Sequence, residues 1–217
     1  MDTEETPQDS NDASRPRLRM QVDWRAVVAQ SLFIGASILL AFALEDWDEA
    51  SDIEERTLIA LCNVRSELEF NRIMIERDFM PRQQGMLALS GASIAVLQAD
   101  PDAKTLKTDL YELMVKDSLR RSAWTLASES GYLLHADFEM ATEIGALLEF
   151  QDRQYQDAVS LVRDAVYEHD SPADAAPVDY YLNITNLVVE WIGQTDYLTR
   201  KYEDLFARED FANLQCE

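Results

Sequence analysis

The chain has 217 residues and a net charge of −22, from 41 Asp and Glu against 19 Lys and Arg. That balance repels phosphate backbones and anionic headgroups, so nucleic-acid binding is excluded as a function. The length suits one domain of ordinary size beside a short anchor.

Residues 1–20 (MDTEETPQDSNDASRPRLRM) are polar, hold two prolines and show no periodicity. With residue 21 they read as a disordered cytoplasmic tail, domain 1–21. Residues 26–44, AVVAQSLFIGASILLAFAL, form a run of 19 without a charge. A helix needs roughly 20 mostly apolar residues to cross a bilayer, so domain 22–46 is expected to be a transmembrane helix with lipid as its first partner. Arg15, Arg17, Arg19 and Arg25 precede it, and seven acids from Glu45 to Glu55 follow before the first base, Arg56. The basic side stays inside. The expectation is therefore a single-pass protein of a bacterial inner membrane, with a cytoplasmic N-terminus and a periplasmic C-terminal domain. Trp24 and Trp47 bracket the span as interface anchors often do. Ala41-Phe42-Ala43 fits a small-x-small cleavage pattern. The long acidic region before the span, and the apolar run continuing without a helix breaker, favour a retained signal-anchor.

Domain 47–217 is expected to be all-α, an antiparallel helical bundle continuing from the span. Leu61, Val64, Leu68, Ile75 and Phe79 keep helical spacing, with Asn71 completing the stripe and Pro81 expected to end the helix. Residues 84–99 contain the apolar stretch MLALSGASIAVL, too short to span and read as a core helix. Asp100-Pro101-Asp102 breaks the chain, and Leu106, Leu110 and Leu113 mark a helix over 103–119. Residues 120–134 carry Trp124 and the turn Ser128-Glu129-Ser130-Gly131. Ala141, Ile144, Leu148, Tyr155, Ala158, Val162 and Ala165 predict a helix over 137–168. The linker DSPADAAP interrupts it, and Ile184, Val188, Trp191, Thr195, Leu198, Tyr202 and Leu205 draw a nearly strict seam over 178–208. No period-two alternation and no Asn-Gly or Asp-Gly turn argue for strands.

No Gly-rich phosphate loop, HExxH or GxSxG motif is present. The two histidines, His135 and His169, neither follow a Glu by three residues nor suffice for a three-His zinc site. His169 falls at a helix end, where a cation favours the dipole. The expectation is therefore no enzyme, no catalytic residue, no metal and no cofactor. Cys62 and Cys216 would pair in an oxidising compartment only if the tail folded back onto the first long helix; connectivity is open, with two independent thiols the expectation.

Two constellations stand out as structural or interaction positions. Glu67 and Asn71 lie one turn apart, with Asn71 on the apolar stripe, where a polar residue can fix register or bond a neighbouring element. Trp124, followed by Gly131, suggests a packed aromatic anchoring a turn. The string SILLAFALEDWDE, then Glu67-Leu68-x-x-Asn71, then Trp124 with Ser130-Gly131-Tyr132-Leu133, resembles uncharacterised bacterial single-pass membrane proteins with an N-terminal anchor and a helical extracytoplasmic domain. The resemblance covers residues 30–150 and implies an anchored helical domain with no assigned activity; Glu67, Asn71, Trp124 and Gly131 carry over without a known role. The expected function is a membrane-anchored helical accessory or scaffold of the envelope, with a protein partner or a second copy. The alternative is an extracytoplasmic small-ligand-binding, sensor-like bundle.

Overall fold

A computed structural model describes residues 24–105, 108–167 and 176–216. The cytoplasmic-tail reading and the helix-end role of His169 fall outside them. Among the described residues the chain is all-helical, without a strand. It folds as two compact units, Met1–Glu49 and Ala50–Glu217.

The first unit contains the start of α1 (Trp24–Met74). The large apolar side chains described between Val27 and Leu44 are exposed, Leu32, Phe33 and Leu39 by about seven-tenths each. The helix is long and apolar enough to cross a membrane, and none of its most apolar stretch is buried.

In the second unit α1 passes through a π turn (Ile75–Phe79) directly into α2 (Met80–Ala99). Pro81 was expected to end this helix, and it does not. A proline ring collides with the carbonyl four residues back in an α-helix interior, but is tolerated at the start of a helical segment. Here the wide turn comes just before it, with the Met80 N–H bonded to the Ile75 carbonyl five residues back, and Pro81 lies in the first turn of α2. The stripe Leu61, Val64, Leu68, Asn71, Ile75 and Phe79 is buried throughout.

The helix expected over 103–119 shrinks to α3 (Thr108–Leu113), with the chain non-helical from residue 114 to 121. The short α4 (Ser122–Glu129) and a 3-10 turn (Tyr132–His135) follow. Gly131 separates them at φ +79°, a left-handed conformation that a Cβ disfavours by about 1–2 kcal/mol. Asp137 caps α5 (Phe138–Phe150), its carboxylate accepting from the Met140 N–H at 2.8 Å. A second π turn (Gln151–Tyr155) leads into α6 (Gln156–Tyr167), so the helix expected over 137–168 forms with one wide turn inside it. The last long helix, α7 (Val178–Ala207), buries every residue of its expected seam, and α8 (Glu209–Ala212) closes the fold.

The core lies where α2, α5, α6 and α7 meet. Its centre is aromatic. Phe79 and Tyr155, the last residues of the two π turns, stack with ring centroids 6.2 Å apart, and Trp191 of α7 tilts against Phe79 at 6.3 Å. Above that layer the Gln83 amide donates to the Thr195 hydroxyl, which donates to the Trp191 carbonyl. The end of α7 is tied to the start of α5 by Arg208. Its guanidinium holds Asp210 through two nitrogens, at 3.0 and 2.7 Å, and reaches Glu143 at 2.8 Å.

The cysteines do not stay apart. Cys62 and Cys216 form a disulfide, which corrects the expectation of two independent thiols. The tail does fold back. Phe211 is buried against Phe206, and Arg65 of α1 donates to the carbonyls of Ala212 and Leu214, which brings Cys216 to Cys62.

The bond closes a loop of 154 residues. Replacing both cysteines by serine is expected to cost roughly 2–4 kcal/mol, read as a lower thermal midpoint that dithiothreitol no longer changes. A second expectation concerns pH. The Arg208 hydrogen bond holds the Asp210 carboxyl below its usual range. A depressed carboxylate stabilises the fold above its unfolded pKa, and that contribution is lost as pH falls through the folded value. Asp210→Asn should therefore lower the midpoint at pH 7, and the gap to wild type should close in acid below about pH 4.

Candidate functional site

Where α1 passes the start of α4, a cluster of polar side chains is buried in an otherwise apolar seam. Asn71 is completely buried, and its amide meets the backbone of one residue, Arg120, on both edges. The Asn71 Nδ2 donates to the Arg120 carbonyl at 2.7 Å, and the Arg120 N–H donates to Asn71 Oδ1 at 2.7 Å. The second Nδ2 hydrogen points to Gln151 Oε1 at 3.2 Å. Gln151, the first residue of the second π turn, also donates to the Arg120 carbonyl at 3.3 Å and accepts from the Tyr202 hydroxyl at 2.6 Å. Burial pushes the Tyr202 phenol well above its ordinary range, so it remains a neutral donor.

One turn earlier on α1, Glu67 is buried at the N-terminus of α4. The residue that would cap this helix, Arg121, supplies no capping side chain. Glu67 does so from across the fold. Its Oε2 accepts from the Ser122 hydroxyl at 2.8 Å and the Ala123 N–H at 2.9 Å, and its Oε1 from the Trp124 N–H at 3.4 Å. A carboxylate there pairs orphan N–H groups and complements the helix dipole. The flanking arginines finish the attachment. Arg120 lays its guanidinium 3.5 Å from the centre of the Phe70 ring, and Arg121 forms an ion pair with Asp152. Five consecutive residues, 120–124, are thus held by α1 and the second π turn.

Trp124 is half-buried and reaches α5 at Gly145, where an added Cβ would lie 3.3 Å from its ring. Gly131 forms the left-handed turn beyond α4, and the Thr57 hydroxyl bonds the Tyr132 carbonyl at 3.3 Å. The structure therefore brings Glu67, Asn71 and Trp124 to one segment and places Gly131 at its far end. It does not bring His135 to them; His135 lines a separate hollow with Ala50, Leu58 and Asp137. Sequence reasoning missed Gln151 and Tyr202. Gln151 carries the signal that marked Asn71, a polar residue on an apolar seam. Tyr202 lay on the seam of α7, where it reads as core.

Chemically the cluster is a clamp. Both oxygens of Glu67 accept, both edges of the Asn71 amide are used, and the Tyr202 hydroxyl is committed. Beside it, along α1 and α4, lies a hollow of about 440 Å³ lined by Glu67, Phe70, Arg120 and Ser122, among others. It joins a second of about 310 Å³ through Asn63, Ala123 and Leu126, which line both. A third, of about 280 Å³, lies between α5 and α7, walled by Phe150 and Tyr197. Among the described residues no group of three or more His, Cys, Asp or Glu side chains is placed to hold a metal ion. The chain matches no protein-family model, no curated protein and no solved structure.

Removing a clamp partner leaves part-buried groups unpaired, at up to roughly 1–3 kcal/mol for each orphaned group. Asn71→Ala and Glu67→Ala should each lower the thermal midpoint of the purified chain. Amide exchange should show the loss first in residues 120–124. Unchanged exchange in that segment would contradict the clamp.

Proposed function

We propose that the chain is a single-pass membrane protein whose outer domain, an antiparallel helical bundle, is a non-enzymatic accessory or scaffold of the bacterial envelope. Residues 22–46 form the span, residues 1–21 face the cytoplasm, and residues 47–217 stand in the periplasm. The observation that carries the reading is a pairing of two features. One is the wholly exposed apolar stretch of α1, whose burial requires lipid. The other is the Cys62–Cys216 disulfide, a bond that persists in oxidising compartments and is rare in the cytosol. The arginines before the span and acids after it give the same orientation independently.

The accessory role rests on where the polar chemistry goes. The buried carboxylate and amides hold the fold together, while the domain leaves large apolar side chains outside, among them Ile59, Leu126, Leu134, Phe138 and Val189. Ile59 and Leu126 line one hollow together, and an apolar surface gathered in this way supports contact with another molecule.

Two measurements test the reading. A cysteine introduced at Glu203 should react with a membrane-impermeant maleimide in cells with an opened outer membrane, and one at Ser14 only after the inner membrane is permeabilised; the reverse pattern sinks the orientation. Gentle detergent extraction at native expression, followed by native mass spectrometry, should find the chain with a defined set of envelope proteins. Migration as a lone monomer sinks the accessory role.

A further inference from the structure

The two joined hollows form one groove along α1, opposite α4. Ile59 and Leu126 stand on its walls, 53% and 69% exposed, and Ala60, Ala123 and Ala127 lie between them. Phe70 carries the apolar lining to the far end. From Arg56 to Phe70 the groove follows α1 for 14 steps along the helix, about 21 Å at 1.5 Å per residue.

Charge distinguishes this groove. Residues 45–217 carry a net charge of −20, with 35 acids and 15 bases, yet both ends of the groove are basic. Arg56 and Tyr132 close one end, the guanidinium donating to the phenol oxygen at 3.2 Å. Arg120 closes the other, its guanidinium carbon 3.5 Å from the centre of the Phe70 ring, and meets no carboxylate among the described residues. Arg56 has one acidic contact, Asp52 at 3.6 Å, an exposed pair of the kind that exchanges partners at little cost. Among the described residues that line it, Glu67 is the sole carboxylate, and both its oxygens are taken by Ser122, Ala123 and Trp124. The groove therefore combines an apolar middle with cationic ends in a domain that elsewhere repels anions.

We infer that this groove docks an amphipathic helix of another envelope protein, one whose apolar face is bracketed by Asp or Glu residues about 14 positions apart. The inference rests on the accessory reading and names its docking surface. Apolar side chains of the partner enter between Ile59 and Leu126, and its carboxylates meet Arg56 and Arg120. Desolvation of the apolar side chains supplies affinity, and the two end charges set partner choice and register. An acidic partner would otherwise be turned away by this domain, so the two arginines act as a selective gate for it.

The test uses the full-length protein in cells, with a photoreactive benzophenone amino acid at Leu126 and, as a comparison, at Val189 on α7. The expected result is an adduct through Leu126 whose cross-linked peptide shows apolar residues flanked by Asp or Glu. Its yield should fall about fivefold or more in Arg56→Gln with Arg120→Gln. If that double variant fails to accumulate, the probe moves to Ile59, and the exposed change Leu126→Glu should abolish the adduct instead. An adduct to lipid, to a second copy of this chain or to a segment lacking carboxylates overturns the proposal, as does a yield indifferent to the substitutions. Capture through Val189 alone overturns the groove and leaves the accessory role standing. No adduct at either position overturns both.

Discussion

The two hydrogen bonds between the Asn71 amide and the backbone of Arg120 set the register on which the helical unit from Ala50 onward is built. Residues 114–121 are not helical and have no helical ladder of their own. Backbone groups brought against the core must be paired, or the segment cannot lie there. Asn71 satisfies the N–H and C=O of Arg120 at once, and Glu67, one turn away, accepts from the Ser122 hydroxyl and the Ala123 and Trp124 N–H groups. Spacing on the helix thereby dictates spacing along the segment, and a shift of one residue on either side would orphan several part-buried groups together.

The same layer explains the two π turns. Each adds a residue to its helix and changes which side chains face inward beyond it. In the first, the wide turn precedes Pro81 and the chain stays helical to Ala99. In the second, Gln151 opens the turn at the clamp and Tyr155 closes it at the stack with Phe79. Polar specification and aromatic packing are therefore neighbours on the same elements. The clamp aligns α1, the 120–124 segment and α7, and the Phe79, Tyr155 and Trp191 layer supplies the apolar burial that makes the alignment stable.

Charge organises the outside as the clamp organises the inside. Arginine supplies 15 of the 19 basic residues, and several lie where a helix end or a segment must be tied: Arg65 at the tail, Arg121 at Asp152, Arg208 between α7 and α5. Arg56 and Arg120 differ in standing at the ends of an apolar groove, and the proposed partner is chosen by that difference. The disulfide adds to these ties. The tail is already seated by Phe211 and Arg65, and the covalent link holds it to α1.

Much of this architecture was legible in the chain. Helical periodicity named the seams of α1, α5–α6 and α7 almost residue for residue, because a side chain's burial on a helix follows from its position modulo 3.6. The uncharged run and its asymmetric flanks are local properties too. Asn71 could be singled out because a polar residue on an apolar stripe is anomalous wherever it occurs, and Glu67 because it lies one helical turn from Asn71. Their partners could not be named. The Arg120 backbone, Gln151 and Tyr202 lie 49 to 131 positions further along the chain, and which of them meets Asn71 depends on how far each helix has advanced when it arrives. The disulfide was hidden for the same reason, since two cysteines 154 residues apart carry no mark of proximity. Pro81 misled because its helix-breaking tendency is a local rule, whereas the π turn that accommodates it belongs to a helix packed along its whole length. Local spacing sets which face of each helix is buried; the pairing of distant groups is set only when those faces close on one another.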